Sequence, residues 1–210
     1  MRRFVIIGHK AHASADFSLV DLAGTSGRID VLLGCLRAAM LVSHGLRRDA
    51  VVYLVLLGGS SAPRTVRVRG DEVSFLRPDE RSLAVLMKKV LAAPVSGPGF
   101  CRVRPGIAVA GEGIEAVIRD LGACTRYVVE EGSPDIRAAN LDLSHPAFFV
   151  GDHGGFDEAT RTRLRQLGAS SVAVGPVSVH AADAVVLVSN ELDRRTVHAV
   201  DAAPGAAAGS

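Results

Sequence analysis

Two short apolar runs, each ending in a glycine-bearing loop, constrain this chain more than any other feature. Phe148-Phe149-Val150 runs into Gly151-Asp152-His153-Gly154-Gly155, and about two dozen residues later Val174 leads into Gly175-Pro176-Val177-Ser178-Val179-His180-Ala181. Apolar runs of this kind are typical of strands covered on both faces. A glycine just beyond such a strand lets the main chain approach a ligand closely. Two neighbouring strands of one sheet with such ends present bare backbone to the same small molecule, which predicts a cofactor pocket.

Around these runs the chain alternates strands with helices. Arg3 to Gly8 reads as a first strand, and Ile29, Leu32, Leu33, Leu36 and Met40 recur at helical spacing in a helix expected to end near His44-Gly45. Val51 to Leu57 reads as a doubly covered strand, and the turn residues Gly58 to Pro63 lead it into the alternating Thr65 to Arg69 as a hairpin. Pro78-Asp79-Glu80 opens a helix with Leu83, Leu86, Met87, Val90 and Leu91 on one face, and Ala93 to Pro105 reads as a linker. Strands then follow at Ile107 to Ala110, Tyr127 to Val129, Ala147 to Val150 and Val172 to Val174, with helices around Ile114 to Leu121, Glu158 to Leu167 and Ala181 to Asp193. This rhythm predicts an α/β fold with a mostly parallel sheet and helices on both faces, in which ligands sit at the carboxyl ends of strands. One domain over residues 1–198 is expected, with a disordered tail from Ala199 to Ser210.

With 24 basic and 22 acidic side chains the net charge of +2 does not by itself announce a polyanionic partner. The placement of charge is more telling. Arg28 with Asp30, Arg47-Arg48 with Asp49, and Asp79-Glu80 with Arg81 form three tight clusters at helix starts and turns. Each reads either as a helix cap with a solvated ion pair or as part of a surface for a phosphate-rich substrate, where arginines hold the backbone and carboxylates orient a base. Cys35, Cys101 and Cys124 have no metal spacing and no signal peptide precedes them, so a cytoplasmic setting is expected, with Cys35 in the core. His153 and His180 are isolated loop histidines, and no metal site is expected. The apolar run from Ala50 to Leu57 falls far short of the ~20 residues that cross a bilayer, so no membrane span is expected. Neither a G-x-S-x-G elbow nor a P-loop is present. Gly111-Glu112-Gly113 with Ala116, followed by Glu130, imitates a dinucleotide fingerprint and reads either as such a site or as a structural turn.

These residues together resemble the archaeal tRNA pseudouridine N1-methyltransferases (the TrmY family), a branch of the SPOUT methyltransferases. The resemblance runs from Phe4 to about Asp193. It rests on Asp21 to Gly24 with Gly27 to Asp30, Ser43 to Asp49, Pro78 to Arg81, Pro105 to Ile107, Pro146 to Gly155, Gly175 to Ala181 and Asn190 to Asp193. It implies a knotted α/β fold with a C-terminal trefoil knot and the cofactor loops in about 125–195, and a homodimer. It also implies S-adenosylmethionine as methyl donor and N1 of pseudouridine 54 in tRNA as target. Other substrates and roles compatible with the same fold are a different RNA such as rRNA, or non-catalytic RNA binding. Carried over by residue, Val128, Gly151, Val174, Gly175, Pro176, Val177, Ser178, Val179 and Ala184 meet the cofactor. Asp30, Asp49 and Arg28 serve the chemistry, and Arg28, Arg47, Arg48 and Arg81 hold RNA. Ala184 stands where relatives commonly carry a cysteine, so a thiol takes no part here.

Overall fold

Alternate residues of one strand show how the core divides. Phe4 and Ile6 are buried on one face of the sheet, and Val5 and Ile7 on the other, as the period of two in an extended chain requires. The computed structural model describes residues 1–201. In chain order its elements are β1 (Arg2–His12), the short α1 (Leu22–Thr25), α2 (Ile29–Met40), β2 (Leu41–Val42), β3 (Gly45–Leu46), β4 (Ala50–Gly58), β5 (Arg64–Arg69) and α3 (Glu80–Leu91). They continue with β6 (Cys101–Arg104), β7 (Ile107–Ala110), α4 (Ile114–Leu121), β8 (Thr125–Val129), β9 (Pro146–Gly151), α5 (Glu158–Gln166), β10 (Ser170–Val172) and α6 (Ala181–Asp201).

Eight strands form one sheet in the order β10-β8-β9-β1-β4-β5-β7-β6. From β10 to β4 all neighbours are parallel, and from β4 to β6 all are antiparallel. Residues of α2, α3 and α6 pack on the face that holds Phe4 and Ile6, and residues of α4 and α5 on the face that holds Val5 and Ile7. Phe148 of β9 lies at the centre of the first face, stacked on Tyr127 at 5.0 Å and on Phe4 at 6.0 Å between ring centroids.

Several boundaries differ from expectation, each for a local reason. The first long helix stops at Met40 rather than near His44, because Leu41 and Val42 turn into a two-stranded ribbon with Gly45 and Leu46. Cys101–Arg104, inside the expected linker, is an edge strand that pairs antiparallel with β7. The last helix continues past Asp193 to Asp201, carried by Arg194 on Asn190 and Arg195 on Glu191, one turn apart. Ala199 to Asp201 therefore belong to that helix, and the remainder of the expected tail, 202–210, lies outside the described residues. The dinucleotide reading fails on topology. The strand before Gly111 lies between β5 and β6, and the next strand, β8, lies between β10 and β9, so β9, β1, β4 and β5 separate the two strands and the adjacent β-α-β pair of a dinucleotide site does not form. Glu112 instead accepts from the Gly99 amide at 2.9 Å and from Arg119, which makes the turn structural.

Candidate active site

The carboxyl ends of β8, β9 and β10 open into a cleft of about 640 Å³, within the range of small-ligand sites. Val129 and Glu130 line it from the end of β8, Val150 and Gly151 from β9, and Ala173 and Val174 from just beyond β10. The first turns of α2 and α6 close its sides through Arg28 and Ala184. The two glycine-bearing loops thus meet at one site, although their strands are not neighbours as expected, because β8 lies between β9 and β10 and its own end completes the cleft.

The β9 loop is folded back on itself. A Cβ on Gly151 would lie 2.6 Å from the carbonyl carbon and oxygen of Gly155, so only glycine permits this approach. Asp152 fastens the loop to β1. Its carboxylate accepts from the His9 amide at 2.9 Å and from the Gly154 amide at 2.8 Å, while its own amide donates to the Ile7 carbonyl at 3.0 Å. The β10 loop differs, because the main chain from Val174 to Val179 makes no backbone–backbone hydrogen bond among the described residues. Gly175 has no heavy atom within 4 Å of where a Cβ would stand, so a side chain there would occupy open space. Residues 176–180 are exposed, so these unpaired peptide groups face solvent and are available to a ligand that enters the cleft.

Arg28 guards the mouth. It is the N-cap residue of α2 and takes a left-handed backbone with φ 70°, directly after Gly27 with φ 64°. A Cβ on Gly27 would lie 1.8 Å from the Lys10 carbonyl oxygen, so glycine at 27 brings this corner against β1. The Arg28 guanidinium is paired with Asp30, Nη2 to Oδ2 at 2.9 Å, and that hydrogen bond together with the Asp30 charge raises its pKa further. Non-glycine residues in this backbone region store strain and concentrate at functional sites.

A family model described as "Putative SAM-dependent RNA methyltransferase" matches residues 1–197. The chain belongs to this family. Among its relatives, proteins named tRNA (pseudouridine(54)-N(1))-methyltransferase from Methanosarcina acetivorans and Halobacterium salinarum are 39% and 40% identical to it. The matches cover 92% of this chain in both cases, and 92% and 96% of the relatives. Among solved structures, that of Archaeoglobus fulgidus Nep1 bound to S-adenosylhomocysteine has the same fold, with a TM-score of 0.63 at 18% identity over 94% of this chain and 99% of that one.

The cleft of this methyltransferase family member brings together some of the residues expected to act and separates others. Gly151, Val174, Gly175, Val177, Ser178, Val179 and Ala184 all line it, with Arg28 at its edge. Val128 does not, since it points into the core beneath the cleft and its neighbour Val129 takes the lining position. Pro176 lies in the loop but is not among the lining residues. Arg47, Arg48 and Asp49 lie at the opposite end of the sheet, beside the first residues of β1 and β4. There Arg47 makes a two-pronged contact with Asp193 at 2.9 Å, Arg48 donates to the Gly70 and Val73 carbonyls, and Asp49 accepts from Arg2. Arg81 lies on α3, away from the cleft.

Some of the cleft's polar groups were not singled out for it in the sequence. Glu130 and Arg161 pair at 2.8 Å on its rim, and Asp152 is nearly buried within its wall. The aspartate directly after a strand-ending glycine was the available signal for Asp152. The pairing of Glu130 with Arg161, 31 positions apart, has no local signal. Cys35 is buried, which pushes its thiol up to about 12 and keeps it a core residue as expected. No group of three or more potential metal ligands, and no helix long and apolar enough to cross a membrane, occurs among the described residues.

Proposed function

We propose that this chain is an S-adenosylmethionine-dependent methyltransferase that methylates N1 of pseudouridine in tRNA, at position 54. The observation that carries the proposal is the cleft at three parallel strand ends, with unpaired main chain along the β10 loop and with Arg28, itself paired to Asp30, at its mouth. Its residues fit the cofactor: free peptide groups from Val174 to Val179 suit the polar edge of an adenine, Val129, Val150 and Ala184 offer apolar walls, and the open space at Gly175 admits a ligand. S-adenosylmethionine, when bound, supplies a methyl group activated on a sulfonium.

The protein's task is then to hold the base in line and manage its charge. Pseudouridine is joined to ribose through carbon, so N1 bears a proton that must leave and negative charge gathers on the ring. Arg28, held charged by Asp30, stands where it offsets that charge, and Asp30 is the proton acceptor of the site. Asp49 is too far along the sheet to share this role within one chain, and Arg47 and Arg48 beside it are engaged with Asp193 and with the Gly70 and Val73 carbonyls. A base in the T-loop must be splayed out to reach the cleft, so RNA shape outweighs sequence in recognition.

The same reading includes a homodimer and a trefoil knot. Val177, Val179, Val186 and Leu187 are exposed on the cleft loop and on α6, an apolar stretch suited to a second copy of the chain. Supporting the knot, Ala173 is hydrogen-bonded to the loop that follows β8, through Pro134 and Ile136, and Arg195 of α6 clasps the carbonyls of Ile136, Arg137 and Ala139 in that loop. The enzyme acts in the cytoplasm.

The test is methyl transfer from radiolabelled S-adenosylmethionine to tRNA transcripts carrying pseudouridine or uridine at position 54, and to an rRNA fragment. Label on the pseudouridine transcript alone is expected. Label confined to the rRNA would overturn the substrate, and failure to bind S-adenosylmethionine, or preference for NADH, would overturn the enzyme.

A further inference from the structure

A second groove, of about 400 Å³, runs along the outer face of α3 at the end of the sheet away from the cleft. Its position follows from the strand register: Arg69 at the end of β5 pairs with Val51 at the start of β4, and the Arg69 amide donates to the Gly106 carbonyl beside Arg104. Arg77, Arg81, Lys89 and Arg104 line the groove, all exposed, and none of them forms an ion pair among the described residues. Arginines elsewhere are typically neutralised, as in Arg67–Asp120, Arg119–Glu112 and Arg163–Glu115. The carboxylates nearby are spent: Asp71 and Glu72 pair with Arg69, and Asp79 caps α3 by accepting from the Ser82 amide, leaving Glu80 as the acidic side chain without a partner there. Phe75 projects from the same groove, 61% exposed, although its neighbour Leu76 is buried. The Arg104 guanidinium donates to the Phe75 carbonyl at 3.4 Å, which ties the aromatic residue to the cationic rim.

A single exposed aromatic residue is unremarkable on a protein surface. One that shares a groove with four cations free of ion pairs has the composition of a single-stranded nucleic acid site, in which a base stacks on the ring and the flanking phosphates meet the charges. We propose that this groove binds an unpaired nucleotide of the RNA substrate other than the one modified, with its base on Phe75 and its phosphates on Arg77, Arg81, Lys89 and Arg104. The proposal rests on the RNA reading above and extends it. The nine residues of β4 that separate this end of the sheet from the cleft end span roughly 30 Å, so the groove meets a remote part of the RNA and governs which molecules are accepted.

The test measures binding of a tRNA transcript to the full-length protein across a series of KCl concentrations. Phe75→Leu is expected to weaken binding about tenfold at every salt concentration, with Phe75→Tyr restoring it. Arg77→Gln and Arg104→Gln are each expected to lower the slope of log Kd against log salt by about one. All four variants should keep wild-type S-adenosylmethionine affinity and melting temperature. If the wild type methylates tRNA while Phe75→Leu and the arginine variants bind as tightly as it does, the groove assignment falls and the methyltransferase reading stands. If tRNA binding depends on Phe75 but no methyl group is transferred, the groove stands and the reading above falls. Absence of tRNA binding by the wild type, or equal competition by polyglutamate, would overturn the groove.

Discussion

Arg28 combines three properties that rarely coincide by accident: left-handed backbone, an ion pair at its own helix start, and a place at the mouth of the cleft. If function holds it in that conformation, Arg28→Gly should leave stability within about 1 kcal/mol of wild type, because glycine removes the backbone strain at a similar entropic cost. The same change should lower turnover by about 100-fold or more if the guanidinium offsets charge on the reacting base. Urea denaturation and single-turnover methylation measure the two effects separately, and an equal loss in both would reduce Arg28 to a structural residue. Gly151→Ala places a methyl group against the Gly155 backbone and should abolish S-adenosylmethionine binding in calorimetry while the rest of the chain still melts cooperatively. Sequence reading reached these two residues because glycine after an apolar run and an arginine next to an aspartate are local patterns. It missed the roles of Asp152 and Glu130, which depend on partners brought from β1 and α5. Arg47 and Asp49 look like Arg28 and Asp30 as residue types, but the helical spacing between the clusters places them at opposite ends of α2, and the structure keeps them there.

Elements are held together at their ends by charge as well as by the core. Arg2, almost fully buried at the start of β1, meets Asp49 and Asp193, and Arg47 joins the same Asp193, so β1, the turn before β4, and α6 share one junction. Burial pushes the Asp193 carboxyl up, but Arg47 and Arg2 outweigh it and hold the group below its ordinary value. A depressed carboxylate pKa contributes stability that is present above the unfolded value, near 4, and lost as pH falls through the folded one. Melting temperature should therefore fall below about pH 4, and Asp193→Asn should remove part of that acid dependence while lowering stability at pH 7, because it leaves Arg2 with one partner fewer. Differential scanning calorimetry between pH 3 and 7 checks both, and an unchanged acid limb in the variant would exclude Asp193 as its source. At this scale the order of strands and helices was readable from periodicity, and so was the β4–β5 hairpin from its turn residues. The antiparallel neighbours of β7 and the pairing of β6 were not, because a buried four-residue apolar strand looks alike in parallel and antiparallel sheets, and a strand of alternating exposure among glycines and prolines looks like a linker.

For the whole molecule the relevant quantity is the surface left uncovered. Val186 and Leu187 of α6 and Val177 and Val179 of the cleft loop are the exposed apolar side chains on which the dimer proposal rests. Leu187→Glu should shift the protein from dimer to monomer in analytical ultracentrifugation, and a monomeric wild type, or a dimer insensitive to this change, would remove that face from the assembly. In the core, Phe148→Ala should cost about 3–5 kcal/mol in urea denaturation, since the ring is fully buried between Phe4 and Tyr127. The unpaired main chain from Val174 to Val179 bears on how such a molecule can change over time. Every amino acid but proline, which lacks the N–H, carries the same peptide donor and acceptor, so a pocket read by peptide groups keeps its chemistry through most side-chain replacements and loses it chiefly when a proline enters, a glycine gains a side chain or the path of the loop shifts. Most positions around the cleft are thereby free to drift, and the burden of inheritance falls on the few that shape the chain's path.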